Sequence, residues 1–356
     1  MASFKNLRSR LKSLFEGSSQ LAESAELSRR SAELPGRSAE IPGRSQKAIP
    51  REARQPADSF HIPVLVVSYF PVKQGRIDRQ VTGDVGAPLD EIRRHTSQTT
   101  QQVIQSLETG STYHGYKDPD AQPSLYYQIV DSLEFLGPLP TYRKSGHRVP
   151  MTDYNAIMDR CDIRYWIEER GIKEVWLWGY HGGVVDIWES NMAGPHGDIS
   201  NSDRDPTDLP VLGKTYTVYH YNYQRGASEA VEDHMHQIEA VLRSIDPHLF
   251  WDKFVGKPGE GRCGWAHYPP NAERDYDWAN RNFVWTDIED WSPEGTGQKQ
   301  RMNCTRWNCD SLTWFIYWMQ NLPGADNGLS YRGRPLNNWW AFIGDFDEAM
   351  ATLKRL

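Results

Sequence analysis

The chain has few cysteines, no long apolar run and no nucleotide-binding loop, and each absence removes a class of protein. Four cysteines in 356 residues, at 161, 263, 304 and 309, are too few for a disulfide framework to organise the fold. The longest apolar stretches, 62–67 and 314–319, fall far short of the ~20 residues that span a bilayer, so the chain is not expected to be transmembrane. Its first residues lack the apolar core of a secretory signal, which makes the cytoplasm the expected location. No Gly-x-Gly-x-x-Gly or Walker loop follows the first strand candidate, so no nucleotide cofactor is expected.

Charge and repetition divide the chain near residue 59. Residues 1–58 hold 11 Lys/Arg and 7 Asp/Glu, a balance of +4. With the whole chain at −7, residues 59–356 carry −11, which would repel a phosphate backbone and argues against nucleic-acid partners. Segment 3–15, SFKNLRSRLKSLF, is basic and amphipathic at helical spacing, a pattern suited to a peripheral membrane or protein contact. Its basic character also leaves a mitochondrial presequence open, although the glutamates from Glu16 onward weigh against one. The repeats ESAELSR (23–29), RSAELPG (30–36) and RSAEIPG (37–43) have a heptad period that runs on to residue 45. Pro35, Gly36, Pro42 and Gly43 break any coiled coil they would form. Residues 1–58 therefore read as a disordered tail, and 59–356 as a single domain.

Within the domain, strand candidates at 62–69, 124–135, 174–180 and 215–223 alternate with helix candidates at 88–107, 153–169 and 228–245. Later strands are expected at 283–288 and 339–344, and a closing helix at 345–356. Such alternation implies an α/β fold with a mostly parallel layered sheet, Rossmann- or flavodoxin-like, ending in an irregular Trp-rich part. A (β/α) barrel is the second choice. All 14 Trp lie after residue 165. Trp278 and Trp291 stand beside aspartates, a pairing of flat apolar faces with carboxylates that suits a polar, glycan-like ligand.

Ligands of parallel sheets bind beyond the carboxyl ends of the strands. That places His181, Glu189, His220 and Asp287 as candidate catalytic groups, with Asn222, Glu229, Glu232 and Glu289 as candidate ligand contacts. On helix 228–245, Val231, Met235, Ile238 and Leu242 define a buried face. Glu229, Asp233 and His236 then project toward solvent, and His234 flanks the core.

Two metal readings arise elsewhere. Asp198, Asp203 and Asp205 are hard oxygen ligands at short spacing and suit Ca²⁺. Cys263, His267, Cys304 and Cys309 give a loose zinc spacing. Around Cys309, the dozen residues of WNCDSLTWFIYWMQ resemble the nucleophile helix of permuted papain-like hydrolases, in which Asn-Cys precedes an apolar helix. The resemblance covers this one helix. It implies Cys309 as nucleophile and His267 as its base.

The leading expectation is a hydrolase with a carboxylate/His site at the strand ends, assisted by a divalent metal, on a polar or glycan-like substrate. A Cys309 thiol hydrolase and a non-catalytic glycan- or partner-binding protein are the alternatives.

Overall fold

The computed structural model describes residues 59–201 and 207–356. The tail, with its basic segment and heptad-like repeats, lies outside the described residues, as do Asp203 and Asp205.

The described residues form a mixed α/β fold around a five-stranded, mostly parallel sheet. Its strands are β1 (Phe60–Tyr69), β2 (Leu125–Phe135), β3 (Glu174–Gly179), β4 (Ser190–Ala193) and β5 (Tyr216–Asn222), in the order β2-β1-β3-β5-β4. Strands β2, β1, β3 and β5 run parallel, and β4 pairs antiparallel with β5 at one edge. The central strands β1 and β3 are apolar and buried on both faces, as parallel strands between helical layers are. Strand β2 lies at the other edge and alternates toward exposed polar residues.

The longer helices are α1 (Leu89–Gly110), α2 (Tyr154–Arg160), α3 (Ala227–Ile245), α4 (Ser311–Met319) and α5 (Phe346–Thr352). Helix α1 opens with Asp90 and Glu91, which favour its positive N-terminal dipole, and packs against α3 and α4. Helix α2 is capped as its sequence foretells, with Asp153 accepting from Ala156 N at 2.9 Å. It stops at Arg160 rather than continuing to 169. Asp162 adopts φ 54°, and a separate π-helical turn spans Tyr165–Glu169 before Gly171.

Two expected late strands differ. Residues Val284–Thr286 pair with Gln300–Met302 in a separate antiparallel ribbon, outside the main sheet. Segment 339–344 turns into a short helix, Ala341–Gly344, because its Trp and Phe pack on all sides instead of alternating across a sheet. The short edge strand β4 carried no apolar period in the sequence.

The tryptophans have a structural task. The loop after the π-helical turn His248–Val255 presents two backbone carbonyls to indoles. Trp278 and Trp314 both donate to Ala266 O, at 2.9 and 3.0 Å, and Trp318 donates to Gly264 O at 2.9 Å. These bonds pin a segment without regular structure against α3 and α4.

Candidate functional site

A cleft of about 520 Å³ opens at the C-terminal ends of β3 and β5, beside the first two turns of α3. His181, Glu189, His220, Asn222, Glu229 and Glu232 all line it, and so do Trp188, Asp233 and Tyr276. Six residues chosen from strand ends and the first turns of one helix thus meet in a single cavity. Compared with protein-family models and with curated proteins, the chain matches none.

His181 follows β3 directly. Behind it the chain turns through Gly182 and Gly183, both at positive φ. A Cβ on Gly182 would fall 1.9 Å from Thr82 O, so only glycine fits there. His181 Nδ1 lies 2.5 Å from Val185 O. A carbonyl only accepts, so Nδ1 donates, and Nε2 is the nitrogen left for a ligand.

His220 has the opposite character. It is fully buried, its Nδ1 is 3.0 Å from the Tyr154 hydroxyl, and its Nε2 meets no hydrogen-bond partner among the described residues. Tyr154 accepts from Trp188 N at 2.7 Å and lies 3.4 Å from Trp188 O. Where the phenol donates to His220 Nδ1, the histidine proton sits on Nε2; where it donates to Trp188 O, Nδ1 can carry the proton instead. Burial, reinforced by nearby His181, pushes the His220 pKa down to about 3, so the ring is neutral. His220, a candidate catalytic group from its place at a strand end, is thus a buried neutral imidazole bordering the cleft. Gly179 makes room for it: a Cβ there would come within 2.5 Å of His220 Nε2.

The acidic groups divide by task. Glu189 accepts a hydrogen bond from Asn201 Nδ2, and its backbone carbonyl accepts from His220 N at 3.2 Å. Glu229 accepts from Gly226 N at 3.3 Å and pairs with Arg225, so it caps α3 while touching the cleft. Asn222 Oδ1 accepts from Gln224 N at 3.1 Å, which shapes the turn into α3.

Glu232 faces two imidazoles. His267 Nε2 lies 2.7 Å and His236 Nε2 3.7 Å from its Oε1, and the two Nε2 atoms are 3.0 Å apart. Burial works to raise the Glu232 pKa, but the hydrogen bonds from both histidines win and hold it at about 2. Burial likewise disfavours charge on His236, yet the carboxylates of Glu232 and Glu239 outweigh it and lift that ring to about 11. His236 is therefore a buried, paired residue, not a solvated one. The pinned loop covers the side of α3 that the helical period left open. Asp233 is half-buried and lines the cleft, and burial raises its pKa well above the carboxyl range. His234 is a satisfied core residue, stacked on Tyr219 with ring centroids 3.7 Å apart and bonded to the Tyr221 hydroxyl at 2.6 Å.

The remaining candidates lie elsewhere. Asp287 is buried and paired with Arg262. Glu289 is tied to Arg306, to Tyr317 at 2.9 Å and to Lys117 at 3.5 Å. Both belong to the ribbon region, because the strand expected before them is not in the main sheet. Trp291 is a core residue donating to Lys253 O at 3.0 Å, and Trp278 serves the loop described above. Asp198 accepts from Ser200 Oγ, and its expected companions at 203 and 205 lie outside the described residues.

Cys309 is joined to Cys304 in a disulfide, and Asp310, not Cys309, caps α4. In this form Cys309 offers no thiol, and His267 faces Glu232 and His236 instead of it. The same bond and the buried, separate Cys263 dissolve the Cys/His zinc set.

Proposed function

We propose that the protein is a hydrolase acting on a polar, glycan-like substrate in this cleft. The observation that carries the reading is the convergence of His181, Glu189 and His220 at the strand ends. His181 Nε2 is the base for an attacking water, and His220 Nε2–H donates to the oxygen that gains charge. Glu189, oriented by Asn201, is the carboxyl group for the leaving oxygen. The parallel order reverses direction at β1, as in doubly wound Rossmann- or flavodoxin-like sheets, whose ligands sit beyond the strand ends. Tyr276, exposed on the cleft rim, supplies the flat face a sugar ring needs.

Among the described residues no helix is long and apolar enough to cross a membrane. The test is turnover on a panel of p-nitrophenyl esters, phosphates and glycosides by the full chain and by His181→Ala. Turnover that disappears in His181→Ala supports the reading. Full activity in that variant, or binding of glycans with no turnover of any probe, overturns it, and the latter favours a binding protein.

A further inference from the structure

We propose that Glu232, His236 and His267 form a binding site for one divalent first-row transition-metal ion, with zinc the natural occupant. Among the described residues, this is the group of His, Cys, Asp and Glu side chains whose ligand atoms lie within 4.8 Å of one another. Two of the ligands stand one helical turn apart on α3, so their side chains share a face. The third arrives on the loop that Trp278, Trp314 and Trp318 pin in place.

The three donor atoms are separated by 2.7, 3.0 and 3.7 Å. Bonds of about 2.1 Å in a tetrahedral centre set ligand atoms about 3.4 Å apart, so an ion needs only small side-chain adjustments. Two imidazole nitrogens and one carboxylate oxygen suit zinc and its neighbours, whereas Ca²⁺ and Mg²⁺ prefer all-oxygen sets.

An outer layer supports the ligands. Glu239 Oε2 lies 3.6 Å from His236 Nδ1, the nitrogen that does not face the centre. Its other oxygen accepts from Ala266 N at 2.7 Å, next to His267. One carboxylate therefore orients one ligand and anchors the loop that carries another. On the far side, the Tyr276 ring packs 4.1 Å from His267. Glu232 and Tyr276 both line the cleft, so the centre borders it. A site with three protein ligands keeps a position for water, as catalytic zinc sites do. The inference does not depend on the hydrolase reading, since metal binding is measured without a substrate.

The experiment uses the full chain, stripped with a chelator, and titrated with zinc chloride against a chromophoric competitor. One equivalent should bind. His267→Ala and Glu232→Gln should weaken binding ~100-fold or more, and Glu239→Gln ~10-fold, while Asp198→Asn leaves it unchanged. Cobalt(II) added to the wild-type protein should give visible absorption of a four- or five-coordinate N/O centre without a thiolate charge-transfer band. That readout decides the matter even where a variant fails to fold. No zinc binding, unchanged binding in folded His267→Ala, or a thiolate band would each overturn the site. Zinc binding without turnover supports this centre and counts against the hydrolase; turnover in stripped protein without zinc binding does the reverse.

Discussion

The Tyr154 hydroxyl and His220 Nδ1 lie 3.0 Å apart, and this contact ties the His220 ring to the backbone of Trp188 through one shared hydroxyl. The prediction is specific to that arrangement. Tyr154→Phe removes the acceptor for Trp188 N and the donor to His220, so no phenol proton directs the histidine proton to Nε2. Turnover on the responsive p-nitrophenyl probe should fall ~10²-fold, the usual cost of disturbing one donor to a developing oxyanion. Stability should fall by about 1–3 kcal/mol, because Trp188 N is left unpaired. Equal activity in folded Tyr154→Phe would remove His220 from the mechanism.

Gly179 and His220 give a second test of the same side chain. Gly179→Ala places a methyl where His220 Nε2 now sits, 2.5 Å away, and Gly179 is not itself in a positive-φ conformation. The expected outcome is an imidazole pushed from its position. Activity should drop by at least 10-fold, while circular dichroism retains the native α/β signature. A fully active Gly179→Ala protein would show that the imidazole position is not critical.

The sheet was legible because its strands have different surroundings. A strand such as 62–69, apolar on both faces, has few other fates, and the helices after β1 and β5 announce themselves by their period. From those elements, the rule about strand ends led to His181, Glu189, His220 and Asn222 on the cleft, but also to Asp287 and Glu289, which lie in the separate ribbon region. The parts that were not legible share a cause. His236 was placed in solvent because the wheel of α3 shows one apolar face, and no period in 263–268 announces a loop that covers the other. The Trp beside Asp at 278 and 291 looked like ligand platforms, yet the Trp278 indole satisfies Ala266 O of that loop and the Trp291 indole satisfies Lys253 O in the π-helical turn before it. Composition records an N–H donor, but not the distant carbonyl that needs it. The disulfide between Cys304 and Cys309 was missed for a similar reason: few cysteines argue against a framework, not against a single local bond.

Glu174 sets a pH dependence of stability far from the cleft. It is buried at the start of β3, and burial raises its pKa to about 8 against the Trp176 N–H, 2.7 Å from its Oε2, and the Lys173 charge. The folded value exceeds the ordinary 4.5, so the folded state binds the extra proton between the two. This contribution is fully present below pH 4.5 and is lost as pH rises through about 8, where it costs up to a few kcal/mol. Glu174→Gln keeps an acceptor for the indole and removes the ionisation. Its Tm should decline less than the wild-type Tm between pH 5 and 9, roughly the interval bracketing the two pKa values. Parallel Tm curves would show that Glu174 does not titrate there.

The Cys304–Cys309 bond predicts a labelling pattern and bears on location. Denatured, unreduced protein should take up iodoacetamide only at Cys161 and Cys263, and reduced protein at all four. Disulfides persist mainly in oxidising compartments, so protein isolated from cells with this pattern would argue against the cytoplasm. Labelling of Cys309 in native, unreduced protein would instead return it to consideration as a nucleophile.

The last prediction concerns how tryptophan builds the site. Ala266 O accepts two indole N–H groups, from Trp278 and Trp314. Removing either donor leaves the carbonyl satisfied, so Trp278→Phe and Trp314→Phe should each cost mainly their lost packing. Removing both orphans a carbonyl in a buried loop. The double variant should therefore be destabilised beyond the sum of the singles by about 1–2 kcal/mol in a denaturant-based mutant cycle. The same loss should loosen His267, which follows Ala266 directly, so zinc affinity in the double variant should fall more than in either single. Additive stabilities together with unchanged zinc affinity would show that the loop holds its shape without the indoles, and that the concentration of tryptophan after residue 165 has another cause.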